Sequence, residues 1–443
     1  MQDVLLYLLG ILIIVIGLAV SIGLHEIGHL VPAKLFGVKV TQYMIGFGKT
    51  LWSRRRGETE YGVKAIPLGG YVAMTGMYPP EKPGGGARAS STGFFDTMVQ
   101  DGRDASAESI AEGEDHRTFY RLAVWKKIVI MLGGPLMNLV LAFVFFGIVL
   151  MGFGVAQNTT TLGAVSQCLI PASSSAVECT AADPAAPAAA AGLTPGDQVV
   201  AIDGAEITTW EQFRDIVSQA PGQALRVTVE RAGAEQTVTL TPAPNERWAT
   251  DENGQIVEGP NGDPVVETVG MVGVTPTAEM VRQPVTEVPV FVGENIASVA
   301  QIIIGLPQRM VDVWNAAFGA EERDPNGPIS VVGVGRLAGE VVSMDEAPVA
   351  ARAQTMLGLL GSLNVALFVF NLVPLMPLDG GHVAGALYEG AKRGLAKLFR
   401  RPDPGPVDTA KMAPVTLAVV IVLGAMSILL IYADLVKPIS LFG

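Results

Sequence analysis

The chain has 443 residues, of which 49% are apolar and 16% are charged, and its net charge at pH 7 is −12. A mean hydropathy of +0.41 excludes an intrinsically disordered protein and an ordinary soluble enzyme. The composition therefore indicates a membrane protein that also carries a sizeable soluble part.

Four stretches without charged residues are long enough to form membrane-spanning helices. They are 4–24, 128–156, 353–378 and 412–433. Because about 20 residues cross a hydrocarbon core roughly 30 Å thick, we predict four transmembrane helices. The first span lacks a basic segment before it and a small-residue cleavage site, so we do not expect a cleaved signal peptide. A shorter apolar run, 295–308, is interrupted by Gly305 and Pro307, and we interpret it as amphipathic or interfacial.

The first span ends in the sequence HEIGH, which contains His25, Glu26 and His29. Helix geometry places the two histidines one turn apart on one face, about 6 Å along the axis. In the pattern H-E-x-x-H two imidazoles bind zinc, and the glutamate acts as a base on water. A charged group at membrane depth costs at least about 2.5–3.5 kcal/mol unless it is paired or has a task, which favours a Zn²⁺ site over a chance match.

The distribution of Lys and Arg predicts the orientation of the chain. Segments 31–127 and 379–411 hold 14 and 6 of these residues, whereas 157–352 holds 9 Arg, no Lys and an excess of acidic residues. Both basic segments fall on one side of a four-span chain, so the positive-inside rule places them in the cytoplasm and 157–352 outside. The run Arg54–Arg56 lies near a span and indicates orientation or lipid-surface charge rather than nucleic-acid binding.

The external region has the pattern of a small α+β domain. The sequences AAAAGLTPGDQVVAIDG, TTWEQFRDIV, LRVTVE and QTVTLTP predict a turn, a strand, a helix and a strand pair in that order. Residues 244–268 are rich in Pro, Gly, Asn and acidic residues and predict a loop before the last strand. Cys168 and Cys179 both lie in this region, and a disulfide and two buried thiols remain open alternatives.

The third span ends in NLVPLMPLDGGH, residues 371–382, where Pro374 and Pro377 are expected to break the helix. A broken helix at membrane depth is tolerated where it is buried in protein or lines a watery cavity. Catalytic zinc usually has three protein ligands plus water, and Asp379 arrives at the same depth as the two histidines. We therefore predict Asp379 as the third ligand, with Glu389 as the alternative.

Three further polar residues have two interpretations each. Asn371 either contacts a substrate or makes a hydrogen bond between helices, and Asn138 in the second span has the same two alternatives, with the structural one favoured. We interpret His382 as a structural residue or a support for a ligand.

Three motifs on three separate spans together resemble the site-2 protease family of intramembrane zinc metalloproteases, in particular its RseP-like bacterial branch. They are HEIGH at 25–29, GGPLMN at 133–138 and NLVPLMPLDGGH at 371–382. AIPLGGYVAMTG, residues 65–76, is similar to a membrane-associated β-hairpin of that branch, and 157–276 is similar to a PDZ domain. The resemblance implies that His25, His29 and Asp379 bind zinc and that Glu26 is the catalytic base. It also implies that Asn371 holds substrate, and we expect Gly69 and Gly70 of the hairpin to contribute to substrate binding.

The expected fold is a polytopic α-helical membrane protein with four transmembrane helices, a membrane-associated β-hairpin and one extracytoplasmic PDZ-like α+β domain. Four segments contain the spans, namely 1–38, 119–156, 353–390 and 412–443. The remaining segments are the hairpin region 39–78, a flexible insertion 79–118, the PDZ-like domain 157–276, an amphipathic helical linker 277–352 and a basic cytoplasmic loop 391–411.

The expected function is hydrolysis of a peptide bond in or near the transmembrane segment of single-span proteins in a bacterial plasma membrane, near its cytoplasmic side. The resemblance implies substrates such as anti-sigma factors already shortened by another protease, or leftover signal peptides, and no nucleic-acid partner is expected. A catalytically silent PDZ-containing scaffold and an ion or metal transporter are the alternatives. The PDZ-like domain could bind peptide by strand addition or act only as a size filter.

Overall fold

The computed structural model describes residues 2–79, 99–100, 103, 106–110, 113–170, 179, 185–249, 257, 264–319, 322–324, 327–345 and 347–439. The chain divides into two compact units, one formed by Met1–Phe153 with Gln283–Gly443 and the other by Gly154–Arg282. Most of the predicted flexible insertion, 79–118, lies outside the described residues.

Most of the first unit is helical, since a chain in hydrocarbon must satisfy its own backbone hydrogen bonds. The helices of the described residues are, in chain order, α1 (Gln2–Leu35), α2 (Val124–Gly147), α3 (Pro187–Ala190), α4 (Trp210–Ser218), α5 (Glu287–Ile304), α6 (Leu306–Phe318), α7 (Val331–Ser343), α8 (Val349–Asn371), α9 (Asp379–Leu398) and α10 (Ala413–Val436). Short 3₁₀ turns cover Asp115–Arg117, Phe119–Arg121 and Thr409–Met412, and a π-helical turn, Ile148–Phe153, extends α2.

Five helices in the described part of the chain are long and apolar enough to cross a membrane. They are Asp3–Leu35, Val124–Phe153, Glu287–Ile304, Val349–Asn371 and Thr409–Val436. Four of them overlap the predicted spans, although the predicted runs 128–156 and 353–378 extend beyond the ends of their helices at Phe153 and Asn371. The fifth, α5, overlaps the run 295–308 that the sequence suggested to be interfacial. It reaches spanning length because the helix begins at Glu287, before the start of that run. Gly305 and Pro307 do interrupt it, since a separate helix, α6, starts at Leu306.

The strands of the described residues are β1 (Val40–Arg56), β2 (Thr59–Met74), β3 (Val155–Val165), β4 (Gln198–Ile202), β5 (Ala205–Glu206), β6 (Leu225–Arg231), β7 (Ala234–Leu240), β8 (Ala243–Trp248), β9 (Val266–Met271) and β10 (Val274–Val281). The hairpin β1–β2 belongs to the first unit and the other strands to the second.

The hairpin β1–β2 folds back on itself. The stretch 42–45 of β1 pairs with 60–63 of β2 on one side and with 70–73 of β2 on the other, while the end of β1 pairs with the start of β2 up to Arg56 and Thr59. This folding places the last part of β2, from Gly70 to Met74, at the edge of the small sheet. The Thr59 hydroxyl of β2 donates to the Val40 carbonyl of β1 at 2.7 Å, and the Tyr43 hydroxyl of β1 donates to the Gly23 carbonyl of α1 at 2.7 Å. These two hydrogen bonds hold the strands together and attach the hairpin to α1.

Buried polar groups join helices of the first unit away from the hairpin. The amide of Asn364 on α8 donates to the hydroxyl of Ser21 on α1 at 3.0 Å, and both residues are buried. Near the end of α10, the Asp434 carboxylate accepts the backbone N–H of Ser330 at 2.6 Å and pairs with Arg323. These contacts attach α1 to α8, and the end of α10 to the start of α7.

The second unit is a sheet with helices packed on it. The strand order is β10-β3-β4-β6-β7, with β5 paired to β4, and the ribbon β8–β9 is separate. Helix α4 begins with a capping box between Thr209 and Gln212, and it buries Trp210, Phe213 and Val217, which recur at helical spacing, in the core. Cys168 and Cys179 form a disulfide, which decides between the two alternatives for these residues.

The prediction of a loop over 244–268 is wrong at both ends. Residues from Ala243 to Trp248 pair with residues from Val266 to Met271 as an antiparallel ribbon. The polar composition concealed the pairing because this two-stranded ribbon has exposed faces and therefore little hydrophobic alternation.

The ion pair of Asp197 with Arg231 makes the stability of the second unit depend on pH. The Asp197 side chain is 1% exposed, and Nε and Nη2 of Arg231 lie 2.6 Å from its two carboxylate oxygens. These hydrogen bonds hold the pKa of Asp197 below its ordinary value. Because the unfolded-state pKa is about 3.9, the pair stabilises the unit above roughly pH 4, and this stability is lost as the pH falls through the folded-state pKa.

We expect Asp197→Asn to speed amide hydrogen exchange of Val227 and Val229 on β6 relative to the wild-type chain at pH 6. The ratio of the two exchange rates should approach one as the pH falls through the lowered folded-state pKa of Asp197, because below it the carboxyl group is protonated in both folded and unfolded chains. A ratio that stays constant over this pH range would contradict the assignment.

Candidate metal centre

Helix α1 holds His25, Glu26 and His29 in the interior of the first unit, and each residue is less than 9% exposed. The four-residue spacing brings the two imidazoles together, with their Nε2 atoms 3.2 Å apart and their rings edge to face. The helical periodicity in the sequence therefore predicted this juxtaposition correctly.

Helix α2 determines which nitrogen of each imidazole carries the hydrogen. The Nδ1 atom of His29 lies 2.7 Å from the carbonyl oxygen of Ile130, and Nδ1 of His25 lies 3.1 Å from Oδ1 of Asn138. Both partners are acceptors, so each Nδ1 donates a hydrogen and each neutral ring presents a lone pair at Nε2. Two lone pairs then face each other at 3.2 Å, which calls for a cation between them.

Asp379, the first residue of α9, brings a carboxylate to the same point. Its Oδ2 atom lies 3.2 Å from Nε2 of His25 and 3.3 Å from Nε2 of His29. This oxygen is buried and accepts no hydrogen bond, because both neighbouring nitrogens present lone pairs. The three atoms lie within 4.8 Å of one another and are the donor types that zinc prefers. The donor set and the unpartnered oxygen both fit a divalent cation.

The broken end of the third predicted span explains how Asp379 reaches this position. Helix α8 ends at Asn371, and α9 begins at Asp379 after a non-helical stretch, as the two prolines predicted. A Cβ atom on Gly380 would lie 2.4 Å from the carbonyl oxygens of Leu372 and Val373, and one on Gly381 would lie 2.6 Å from the backbone nitrogen of Met376. The two glycines therefore allow the start of α9 to pack against the non-helical stretch.

The motif GGPLMN on α2 provides space and support for the imidazoles. A Cβ atom on Gly133 would lie 2.0 Å from the Gly28 carbonyl oxygen of α1, so glycine permits the close approach of these helices. A Cβ atom on Gly134 would lie 2.2 Å from Nε2 of His29 and 2.6 Å from Nε2 of His25. Sequence reasoning missed Gly134 and favoured a structural role for Asn138, although their four-residue spacing on one helix face was visible.

The hairpin brings backbone close to Glu26. A Cβ atom on Gly70 would lie 2.9 Å from Cγ and 3.2 Å from Oε1 of Glu26, so only a glycine leaves room for the carboxylate at the sheet edge. Burial and, to a lesser extent, the nearby Glu26 raise the pKa of Tyr43 to about 12. The phenol therefore stays protonated and keeps its hydrogen bond to the Gly23 carbonyl, which attaches β1 to α1.

The remaining candidates contribute no atom to the cluster of His25, His29 and Asp379. Gly69 has a φ of +124° and packs under the ring of Phe47, where a Cβ atom would lie 2.2 Å from Cε2. Asn371 is half-buried at the end of α8. His382 lines a cavity of about 310 Å³ between the break after α8 and α10, together with Tyr78 and Thr409.

Glu389, the alternative ligand, is held elsewhere. Its carboxylate accepts from Lys127 Nζ on α2 at 2.8 Å and from the Val407 backbone N–H at 3.1 Å, and it lies 3.2 Å from Arg393. The Lys127 and Glu389 side chains are 6% and 3% exposed. This buried ion pair binds the helix that carries Asp379 to the helix that supports both imidazoles.

We expect Lys127→Met to destabilise the chain by roughly 3 kcal/mol, because it leaves a buried carboxylate with one fewer partner. The double variant Lys127→Met, Glu389→Gln removes that charge as well and should recover part of the loss. Thermal unfolding midpoints in detergent would check the order wild type, double variant, single variant. Equal midpoints for the single variant and the wild type would contradict the role of the pair.

Comparison with known proteins agrees with this geometry. The model of peptidase family M50 matches residues 13–399. The zinc metalloprotease Rip1 of Mycobacterium tuberculosis is 31% identical over 99% of this chain and 100% of its own length. The metalloprotease MmpA of Caulobacter vibrioides is 28% identical over 89% of this chain and 91% of its own. The chain therefore belongs to peptidase family M50, the site-2 protease family, and is a zinc-dependent membrane metalloprotease.

Proposed function

We propose that the chain hydrolyses a peptide bond within or near the transmembrane segment of single-span membrane proteins, close to the cytoplasmic face of a bacterial plasma membrane. The observation that carries this proposal is the convergence of Asp379 with His25 and His29, which lie beside Glu26 on a helix long and apolar enough to span a bilayer. Water and a peptide bond must meet at membrane depth for this reaction, and the break between α8 and α9 supplies a non-helical backbone there.

In this proposal His25, His29 and Asp379 hold the zinc ion and Glu26 is the base. When bound, zinc polarises the scissile carbonyl and makes the attacking water more acidic. Glu26 accepts a proton from that water and returns it to the leaving amine, so one carboxylate serves both steps. Asn138 and the Ile130 carbonyl keep the imidazole hydrogens on Nδ1, which leaves Nε2 of each ring free to act as ligand.

We assign substrate binding to the edge of the β1–β2 sheet and to Asn371. A helical substrate hides its carbonyl groups in its own hydrogen bonds, so the cleaved segment must unwind first. The edge from Gly70 to Met74 lies beside Glu26 and could pair with an unwound segment as an added strand. Gly69 allows the turn into this edge through its positive φ, and Asn371 at the end of α8 could donate to a substrate carbonyl.

We place the second unit outside the cytoplasm as a PDZ-like domain over 157–276, with four transmembrane helices α1, α2, α8 and α10 in the first unit. The intact Cys168–Cys179 disulfide supports an oxidising compartment for this domain. Helix α5 then lies with α6 and α7 in the linker 277–352. The substrates in this proposal are anti-sigma factors already shortened by another protease, or leftover signal peptides.

The test is cleavage of tagged single-span reporters by the purified chain in liposomes. We expect cleavage inside the reporter's transmembrane segment, its loss with a zinc chelator, and its return when zinc is added. Asp379→Ala should lose both cleavage and bound zinc, as measured by elemental analysis beside the wild-type chain. If Asp379→Ala keeps the zinc content of the wild type, Asp379 is not a ligand. If the zinc-loaded wild type leaves the reporters intact, the proposed substrate class is wrong.

A further inference from the structure

The second half of α9 and the three residues after it carry an exposed apolar stripe flanked by basic residues, and the mechanism uses neither. Its apolar members are Leu395, Leu398 and Phe399, which are 55%, 74% and 67% exposed. The basic members are Lys392, Lys397, Arg400 and Arg401. We call these seven residues the α9 tip. The sequence suggested a basic loop from 391, whereas the helix continues to Leu398.

The two kinds of side chain are sorted around the helix. At 100° per residue, Leu387, Tyr388, Leu395 and Leu398 fall within a sector of about 100°, and Lys392 and Lys397 fall on either side of it. Leu387 and Tyr388 continue the same face toward the metal centre and are 57% and 63% exposed. A helix with an apolar face bordered by lysines is typical of an element that lies in the membrane interface.

The position of the α9 tip relative to α2 follows from contacts of the first half of α9. The first half packs along the start of α2, where Glu389 pairs with Lys127 and a Cβ atom on Gly390 would lie 3.2 Å from Val124, the first residue of α2. The tip extends beyond that residue. Next to Val124 in the chain, Trp125 packs against Phe36 with Lys126 beside both rings, an aromatic and basic group of the kind that marks a bilayer surface.

The positive charge of the tip is unbalanced. Within the described part of the chain, the ion pairs of this helix segment involve Arg393, which contacts Glu389 and Asp403. The four cations of the tip are exposed, and none of them pairs with an acidic side chain in the described part of the chain. Such a cluster attracts an anionic surface, and each basic residue near one contributes about a fivefold preference.

The turn that ends α9 orders two of these cations. Arg400 has a φ of +53°, a left-handed conformation in which Gly is usual, and the Arg401 backbone N–H donates to the Ala396 carbonyl at 2.7 Å. An arginine at this position accepts backbone strain that a glycine would avoid. A charged side chain therefore stands directly after the apolar stripe, at a position where glycine is usual.

We propose that the α9 tip binds anionic phospholipid, with Leu395, Leu398 and Phe399 among the acyl chains and the four cations on the head groups. Four basic residues beside an exposed apolar stripe favour lipid over a protein partner. The inference goes beyond the proposed function, depends only on the cytoplasmic orientation of α9, and holds whether or not the chain cleaves a given substrate. Lipid bound here would hold the helix that begins at Asp379.

The test uses an environment-sensitive fluorophore on the single-cysteine variant Leu398→Cys, because Cys168 and Cys179 are joined in a disulfide. The full chain is placed in nanodiscs of phosphatidylcholine alone or with phosphatidylglycerol. We expect a blue-shifted emission that is larger with phosphatidylglycerol, and the added shift should disappear at high salt. The same fluorophore at exposed Gln223 of the second unit is the matched control and should respond to neither change.

Changing Lys392, Lys397, Arg400 and Arg401 to Gln in the labelled chain should remove the response to phosphatidylglycerol, while zinc content stays at the wild-type level. Each single change should lower the preference for anionic lipid about fivefold. If the fluorophore at 398 reports water in both kinds of nanodisc, the tip does not bind lipid and a protein partner becomes the better reading. A response that survives the four changes overturns the role of the cations.

Discussion

Glu26→Gln is expected to stop peptide-bond cleavage while the chain keeps its zinc. Glu26 lies on the same helix as the two imidazoles but contributes no atom to the cluster of His25, His29 and Asp379. Glutamine has the same size and cannot accept the proton of the attacking water, and a positioned acid–base group contributes about 10²- to 10⁴-fold to a rate. Initial rates of reporter cleavage and elemental analysis on the same preparation check both halves of the expectation.

The matched control is Glu211→Gln on the exposed face of α4, which makes the same chemical change in the second unit. Its cleavage rate and zinc content should equal those of the wild type. Cleavage by Glu26→Gln at a wild-type rate would remove Glu26 from the mechanism. Zinc loss in Glu26→Gln would instead give Glu26 a part in holding the metal.

Gly134→Ala should remove both zinc and activity through one methyl group. A Cβ atom at this position would lie 2.2 Å from Nε2 of His29 and 2.6 Å from Nε2 of His25, so the imidazoles must move away from Asp379. Alanine is favoured over glycine within a helix by about 1 kcal/mol, so α2 itself is not weakened by the change. We expect near-complete loss of bound zinc by elemental analysis, with the helical circular dichroism spectrum unchanged.

Gly147→Ala makes the same replacement at the end of α2, where a new Cβ atom meets nothing within 4 Å. It should keep wild-type zinc content and cleavage. A zinc-loaded and active Gly134→Ala chain would mean that residue 134 does not limit the position of the imidazoles. Loss of zinc from both variants would point to a general effect on α2 rather than to contact with the ligands.

Local patterns in the sequence were sufficient for several features of the site. The pairing of His25 with His29 depends on the period of one helix, and the end of α8 follows from the prolines after Asn371. The apolar runs predicted four of the five long apolar helices, because helix formation in hydrocarbon requires only that the backbone satisfies itself within one segment. The sequence TTWEQFRDIV likewise predicted a helix where α4 lies.

Contacts between distant parts of the chain were beyond such patterns. Asp379 and Glu389 are both carboxylates on α9, and only packing against α2 decided that the first meets the imidazoles and the second meets Lys127. The hydrogen bond of Asn138 to His25 joins residues 113 positions apart. The need for glycine at 134 likewise arises from a neighbouring helix, which local propensity does not describe.

The sequence by itself determined that this chain enters a membrane with a zinc-binding pattern on its first helix, since hydrophobic length and helical period are local properties. Tertiary structure alone decided between Asp379 and Glu389 as the carboxylate beside the imidazoles, and it alone decided the tautomers of the imidazoles and the closeness of the sheet edge to Glu26. Each of these depends on the close approach of separate helices and strands. The close approach is set by the packing of side chains from different elements, so the type of any single residue does not specify it.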